Sequence, residues 1–272
     1  MKSIHDLYRD LLVMNASIVP YVTDFKSNPY SYLKARYYMY FASILVYFIQ
    51  DTTIHPNTIT KIYIFMGFVS ALFLSIPSPV ANYFGIFLIF SKGILDWADG
   101  YFARIKNMTS LTGHILDVYG ARINSLTFII ALGIYQYFYF GYNELFLASL
   151  FVYPFCYGTL LTKFSNQYIL DSIPSDSYAN EFRYDHGSSS VQKTYPKIYS
   201  FFVLFLDDRS RTVDFVLLLI VIEHQGGPAL SWLFYVAVNI KWIALWCGSF
   251  IFSSKANTAE KVVASKSNKI KK

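Results

Sequence analysis

Apolar positions in this chain come in long blocks rather than in strict alternation, which points to helices rather than strands. Six stretches stand out, near Thr58–Ser75, Val80–Leu95, Leu126–Phe140, Leu145–Phe164, Val213–Ile222 and Ala229–Phe252. A bilayer core about 30 Å thick takes roughly 20 apolar residues per helix, so each block reads as a span or as part of one. The second and third blocks run at one end into sequence that carries Asp, Gly and Arg. The fifth is short, starts around Ser210 and contains Asp214. Ahead of the first block, Tyr30–Phe48 is rich in Tyr and Phe, with Lys34 and Arg36 near its start. That segment has the character of a helix lying along a membrane surface, and a seventh span is its alternative. The expected fold is an all-α integral membrane protein with six transmembrane helices and an N-terminal interfacial helix. Its expected organisation is a cytosolic N-terminal segment with a juxtamembrane helix over residues 1–54, a six-helix membrane domain over 55–252, and a basic cytosolic tail over 253–272.

Composition supports the membrane reading. Of the 272 residues, 54% are hydrophobic, 19% aromatic and only 15% charged, against about 25% charged in an average soluble domain. Disorder, collagen and coiled coil are excluded by this wealth of large apolar side chains. A disulfide scaffold is excluded as well, because the 2 cysteines, Cys156 and Cys247, both sit in apolar runs and read as reduced packing residues.

Charge then gives an orientation. The turns Ile76–Pro79, Gly141–Glu144 and Glu223–Pro228 contain no Lys or Arg. The opposite side carries the N-terminal segment, Arg104–Lys106, the polar connection Ser165–Pro196 and the tail with Lys255, Lys261, Lys266, Lys269, Lys271 and Lys272. The positive-inside rule therefore places both termini in the cytosol. Met1–Asp10 is polar and mixed in charge, unlike a secretory signal. The net charge of +6 reads as a lipid-facing flank rather than a nucleic-acid surface.

Candidate chemistry gathers at one place. Carboxylates at a membrane boundary are costly and usually functional, and three stand close in sequence: Asp96, Asp99 and Asp117. On a helix Asp96, Asp99, Gly100 and Ala103 share one face, and Gly113 and Asp117 share a face of the next. The short turn Ile105–Thr112 should bring the two faces together. Oxygen ligands with small neighbours suit Mg²⁺ or Mn²⁺, and two such ions could hold a pyrophosphate. Arg104 adds a fixed positive fork for a phosphate. A proton relay would explain the carboxylates but neither the small residues nor Arg104.

The pattern Asp96-x-x-Asp99-Gly100-x-x-Ala103-Arg104, eight residues, then Gly113-x-x-x-Asp117 resembles the motif of the CDP-alcohol phosphatidyltransferases. His55-Pro56-Asn57-Thr58-Ile59-Thr60 resembles the Pro-Asn-x-x-Thr segment that opens that family's first helix. The resemblance implies a phospholipid-biosynthetic membrane enzyme that takes a CDP-linked donor and an alcohol acceptor and releases CMP. It implies that Asp96, Asp99 and Asp117 bind the metals and that Gly100, Ala103 and Gly113 line the cytidine pocket, with Asn57 or Thr60 near it. Arg104 would contact the donor phosphates. Membrane lipid is an expected partner, nucleic acid is not, and a homodimer is left open.

One position departs from the family pattern. The motif ends with a fourth Asp four residues after the third, and Ala121 occupies that place. The family's Asp there is a metal ligand and the base that deprotonates the acceptor, and Ala can be neither. The chain is then a catalyst that has lost its base, a non-catalytic CDP-alcohol-binding protein, or an enzyme with a carboxylate supplied from elsewhere, for which Asp207, Asp208 and Asp214 are candidates. Arg122 would suit a carboxylate at position 121. His114 shares the Asp117 face but is a poor base beside a metal. Arg209 and Arg211 could receive an acceptor phosphate or a lipid headgroup, or simply flank the membrane. A CDP-diacylglycerol donor is preferred because the chain is short, with CDP-choline or CDP-ethanolamine and a diacylglycerol as the alternative.

Overall fold

The computed structural model describes residues 2–16, 25–26, 29–159 and 211–248. Among the described residues every regular element is helical. Two compact units are present, Met1–Ala131 and Leu132–Lys272, and the division falls inside one continuous helix.

The first unit opens with α1 (Ile4–Ala16), in a segment that the sequence pattern marks only as polar. Its start is a reciprocal cap: the Asp6 amide donates to the Ser3 hydroxyl, which donates back to the Asp6 carboxylate at 2.7 Å. The amide-to-hydroxyl bond is the first half of a capping box, with the Asp6 carboxylate turned to the Ser3 hydroxyl. Leu7 and Leu11, one turn apart, are fully buried against Ala35, Met39, Ala42 and Val46 of α2 (Pro29–Ile49) and against Ala98, Tyr101 and Phe102 further along the chain. The other side of α2 exposes Leu33, Tyr40, Phe41 and Phe48, an apolar face consistent with a lipid surface.

α3 (Pro56–Ser75) starts where a Pro at the first helical position predicts. Its cap is His55, whose Nδ1 accepts from the Asn57 amide at 3.2 Å. A tight turn leads to α4 (Pro79–Ile105), which carries Ala98, Tyr101 and Phe102. The Asn82 carboxamide holds that turn by donating to the carbonyls of Phe73, Leu74 and Ile76. The two helices lie unusually close at Gly85, where an added Cβ would stand 2.9 Å from the Ser70 carbonyl oxygen and 3.0 Å from the Leu74 amide. Only a residue without a side chain fits there.

α4 ends in a Schellman arrangement. Asn107 takes a positive φ of 52°, its amide donates to the Arg104 carbonyl, and the Met108 amide donates to that of Ala103. Three residues later the Ser110 hydroxyl accepts from the Gly113 amide at 3.0 Å, capping α5 (Leu111–Phe140). The expected turn between the two motif-bearing helices is therefore built from one C-cap and one N-cap.

The second unit holds the end of α5, α6, α7 (Arg211–His224) and α8 (231–248). α6 begins at Asn143–Leu147, passes through a π-helical turn at Ala148–Val152 and continues over 153–159. Gly133 of α5 is what lets the chain approach Ser149 in that turn. Glu223 knits the unit together. Its carboxylate accepts the Leu230 and Ser231 amides at 2.7 Å each, the Ser231 hydroxyl at 2.9 Å and the Tyr135 hydroxyl at 3.1 Å. A carboxylate at a helix N-terminus also meets the positive end of the helix dipole. Replacing Glu223 by Ala leaves these donors unmatched and should lower stability by at least about 2 kcal/mol. Thermal unfolding of the detergent-solubilised protein reads this directly, and an unchanged midpoint would remove Glu223 from its structural role.

Among the described residues, two helices, Pro56–Ser75 and Thr112–Phe140, are long and apolar enough to cross a membrane. The other expected spans have helices at their places where the chain is described, though the ends of two of them, 160–164 and 249–252, lie outside the described residues. Cys156 is buried and Cys247 exposed, both as free thiols, so only the first packs as expected.

Candidate active site

The cap-to-cap turn does what the spacing predicts. It brings the C-terminal third of α4 against the first turns of α5, and the start of α3 closes the third side. The result is a cleft of about 450 Å³ within the first unit, lined by Asn57 and Thr60 of α3, Asp99, Gly100, Ala103 and Arg104 of α4, and Gly113, His114 and Asp117 of α5. Small residues set its shape. A Cβ on Gly113 would come within 3.0 Å of Asn57 Oδ1, and one on Gly100 within 3.2 Å of the Arg104 guanidinium.

Asp96 does not line the cleft. It sits one turn before Asp99 and Gly100 on α4, where its carboxyl group meets that of Asp117. Two ionised carboxylates repel, so this contact calls for a cation between them or a shared proton. Asp99 is 6% exposed, and its Oδ2 is buried without a hydrogen-bond partner. Thr60, Arg104 and the neighbouring Gly100 backbone lie near the carboxyl group. Lys92 acts on Asp96, and His114 acts on Asp117.

These features bear on whether a divalent cation fits. The donor set is all oxygen, one buried carboxylate oxygen is unsatisfied, and two carboxyl groups press together, which together fit a hard ion such as Mg²⁺. Among the described residues, however, no three His, Cys, Asp or Glu side chains converge closely enough to hold a metal ion as they stand. The ligands share a site without forming a closed cage.

The remaining predicted residues are placed as follows. Ala121 lies one helical turn beyond Asp117, half-buried and outside the cleft lining, with its carbonyl accepting from Ser125 Oγ at 3.2 Å. Arg209, Asp207 and Asp208 lie outside the described residues, and of Arg211 only the backbone is described, as the first residue of α7. Asp214 is half-buried in α7. Sequence reasoning missed Tyr63. This buried phenol stands near Asn124, within electrostatic reach of Asp96, Asp117 and Asp99. Its position three residues after Thr60 puts it on the same helix face, a signal present in the spacing.

The fold thus sets a carboxylate-bearing, glycine-lined cleft at a helix–turn–helix junction next to helices apolar enough to cross a membrane. Residues 53–174 match the family model of the CDP-alcohol phosphatidyltransferases, so the resemblance read from the motif is shown over that segment. The family is one of transferases of substituted phosphate groups in phospholipid synthesis, and together with the apolar helices it points to a membrane protein. No curated protein and no solved structure matches the chain.

Proposed function

We propose that this protein binds a CDP-linked lipid precursor, most simply CDP-diacylglycerol, and transfers its phosphatidyl group to a polar alcohol with release of CMP. The observation that carries this reading is the cleft itself, in which the matched motif residues of α4 and α5 face the start of α3. Asn57 and Thr60 with Gly100, Ala103 and Gly113 form a wall thin enough for a nucleotide to approach backbone. Arg104, exposed and with its Nε donating to the Gly100 carbonyl at 2.8 Å, keeps its remaining donors for the diphosphate. Asp96, Asp99 and Asp117 would hold one or two Mg²⁺ or Mn²⁺ ions. When bound, such ions neutralise charge on the diphosphate and on the leaving CMP. The acceptor oxygen forms its bond to phosphorus as the bond to the CMP oxygen breaks, and the acceptor proton must pass to a base.

That base is the weak point of the chain as it stands, because Ala121 occupies its position. The protein is therefore read as a competent donor-binding site with impaired turnover. The test is cytidine-nucleotide binding with and without Mg²⁺, followed by CMP release across a panel of alcohols. Metal-independent binding, or no binding, overturns the assignment of the cleft.

We also propose that the chain has six spans and that the cleft opens on the cytosolic side. A cysteine at Lys106 should be shielded from impermeant reagents outside sealed cells, and one at Ser78 should react. External labelling of Lys106→Cys would reverse the topology.

A further inference from the structure

A second cleft, of about 540 Å³, lies where α1 docks on the end of α4. Its polar lining is Lys2, Asp10 and Arg104, and its apolar lining is Val13, Met14 and Ile105, over a floor of Tyr101. Arg104 thus lines both clefts. We infer that this second cleft is a binding site for a zwitterionic glycerophospholipid headgroup, with its phosphodiester on Arg104 and Lys2 and its ammonium on Asp10.

The walls are held in place by contacts that do not depend on a ligand. The buried Tyr101 hydroxyl donates to the Leu7 carbonyl at 2.8 Å, and Leu7 and Leu11 anchor α1 in the core. The backbone of Lys2 is tied at both its amide and its carbonyl to the Gln50 carboxamide, each at 3.1 Å. Lys2 is therefore presented at a fixed place although it is near the chain's start.

The charge pattern selects the ligand. Two cations beside one carboxylate suit a single phosphate with a positive end, and they disfavour a nucleotide or a polyphosphate, which Asp10 would repel. The Lys2–Asp10 pair at 2.7 Å has side chains 56% and 36% exposed. An ion pair so exposed contributes little and can exchange partners at small cost. Val13, 71% exposed beside Met14 and Ile105, offers an apolar strip that free phosphate would not use but the glycerol and first chain carbons of a lipid would. The volume is in the range that takes a headgroup.

Sharing Arg104 has a consequence that rests on the proposed function. A phosphate in the second cleft draws the guanidinium away from the donor diphosphate, so lipid and CDP should oppose one another.

The test uses the full chain in phosphate-free detergent, with Cys156 and Cys247 replaced by Ser and a thiol introduced by Val13→Cys. Its alkylation rate is followed against dihexanoyl phosphatidylethanolamine, dihexanoyl phosphatidylglycerol and inorganic phosphate. Phosphatidylethanolamine should slow labelling at about tenfold lower concentration than phosphatidylglycerol, and inorganic phosphate should not protect. Lys2→Gln should weaken protection about tenfold, and Asp10→Asn should erase the preference for the ammonium headgroup. Equal labelling with and without lipid, equal protection by both lipids, or protection by phosphate alone overturns the proposal. Saturating phosphatidylethanolamine should also weaken CDP binding roughly three- to tenfold. The labelling assay needs no CDP, so a chain that fails to bind nucleotide still tests the lipid site independently.

Discussion

Ala121→Asp should raise the rate of CMP release by at least about two orders of magnitude, while donor affinity stays within about tenfold. Residue 121 follows Asp117 by four positions on α5, so an Asp there extends from the same face, one turn further along. A base positioned on the reacting hydroxyl contributes roughly 10²–10⁴-fold in rate, and an added carboxylate ligand for a cation would strengthen the effect. Donor affinity should change little because Asp99, Gly100, Arg104 and Gly113, which line the cleft, are untouched. The position should accept the larger side chain, since Ala121 is half-buried rather than sealed in the core. The rival account gives Asp214 the role of base. Under it, Ala121→Asp changes little and Asp214→Asn is the inactivating substitution. Brisk turnover by the unsubstituted chain, with no gain from the Ala121→Asp substitution, would falsify the assignment of a missing base.

The sequence carried the site further than it carried the protein around it. The common face of Asp99, Gly100 and Ala103 follows from helical spacing, and the turn that opposes it to Gly113 and Asp117 follows from the shortness of Ile105–Thr112, which the structure caps with Asn107 and Ser110. Both are local rules, and both are seen in the structure. Asp96 shows where such rules stop. Spacing puts it on the shared face, but whether it reaches the cleft or turns to Asp117 depends on packing between helices, which periodicity does not encode. Convergence on a metal is equally a matter of side-chain rotamers, and the three carboxylates are brought together without closing around an ion.

α1 escapes the sequence pattern for a different reason. A search for blocks of about 20 apolar residues passes over a helix of 13, even though Ser3-x-x-Asp6 followed by Leu7 and Leu11 spells a cap and a buried stripe. Nor does any local signal mark Glu223, which looks like an ordinary polar residue in a turn. Its importance comes from Tyr135, 88 positions away in the chain, and from the start of α8. The π-helical turn beside Gly133 is likewise a product of tertiary contact. That Tyr30–Phe48 forms a helix was legible, but its docking on α1 and α4 through Ala35, Met39, Ala42 and Val46 was not.

Asp96→Asn should abolish metal-dependent cytidine-nucleotide binding, although Asp96 is not exposed to the cleft. Its carboxyl group lies against Asp117, and the amide keeps the size of the side chain while removing the charge. In the absence of metal that change relieves repulsion between two acids, so the folded protein should be at least as stable as before. In the presence of Mg²⁺ the order reverses. A neutral amide oxygen is a much weaker ligand for a hard cation than a carboxylate, and the remaining Asp99 and Asp117 supply too little charge to hold an ion against water. Loss of an essential ligand of this kind should weaken nucleotide binding in millimolar Mg²⁺ by about a hundredfold or more, to the level found under chelation. Two measurements on one preparation separate the possibilities: the thermal midpoint without metal, and CDP affinity with and without Mg²⁺. A normal midpoint with lost affinity supports a metal-binding role for Asp96. A collapsed midpoint assigns Asp96 to folding instead. Full retention of Mg²⁺-dependent binding removes it from the ligand set and leaves the cleft to Asp99 and Asp117.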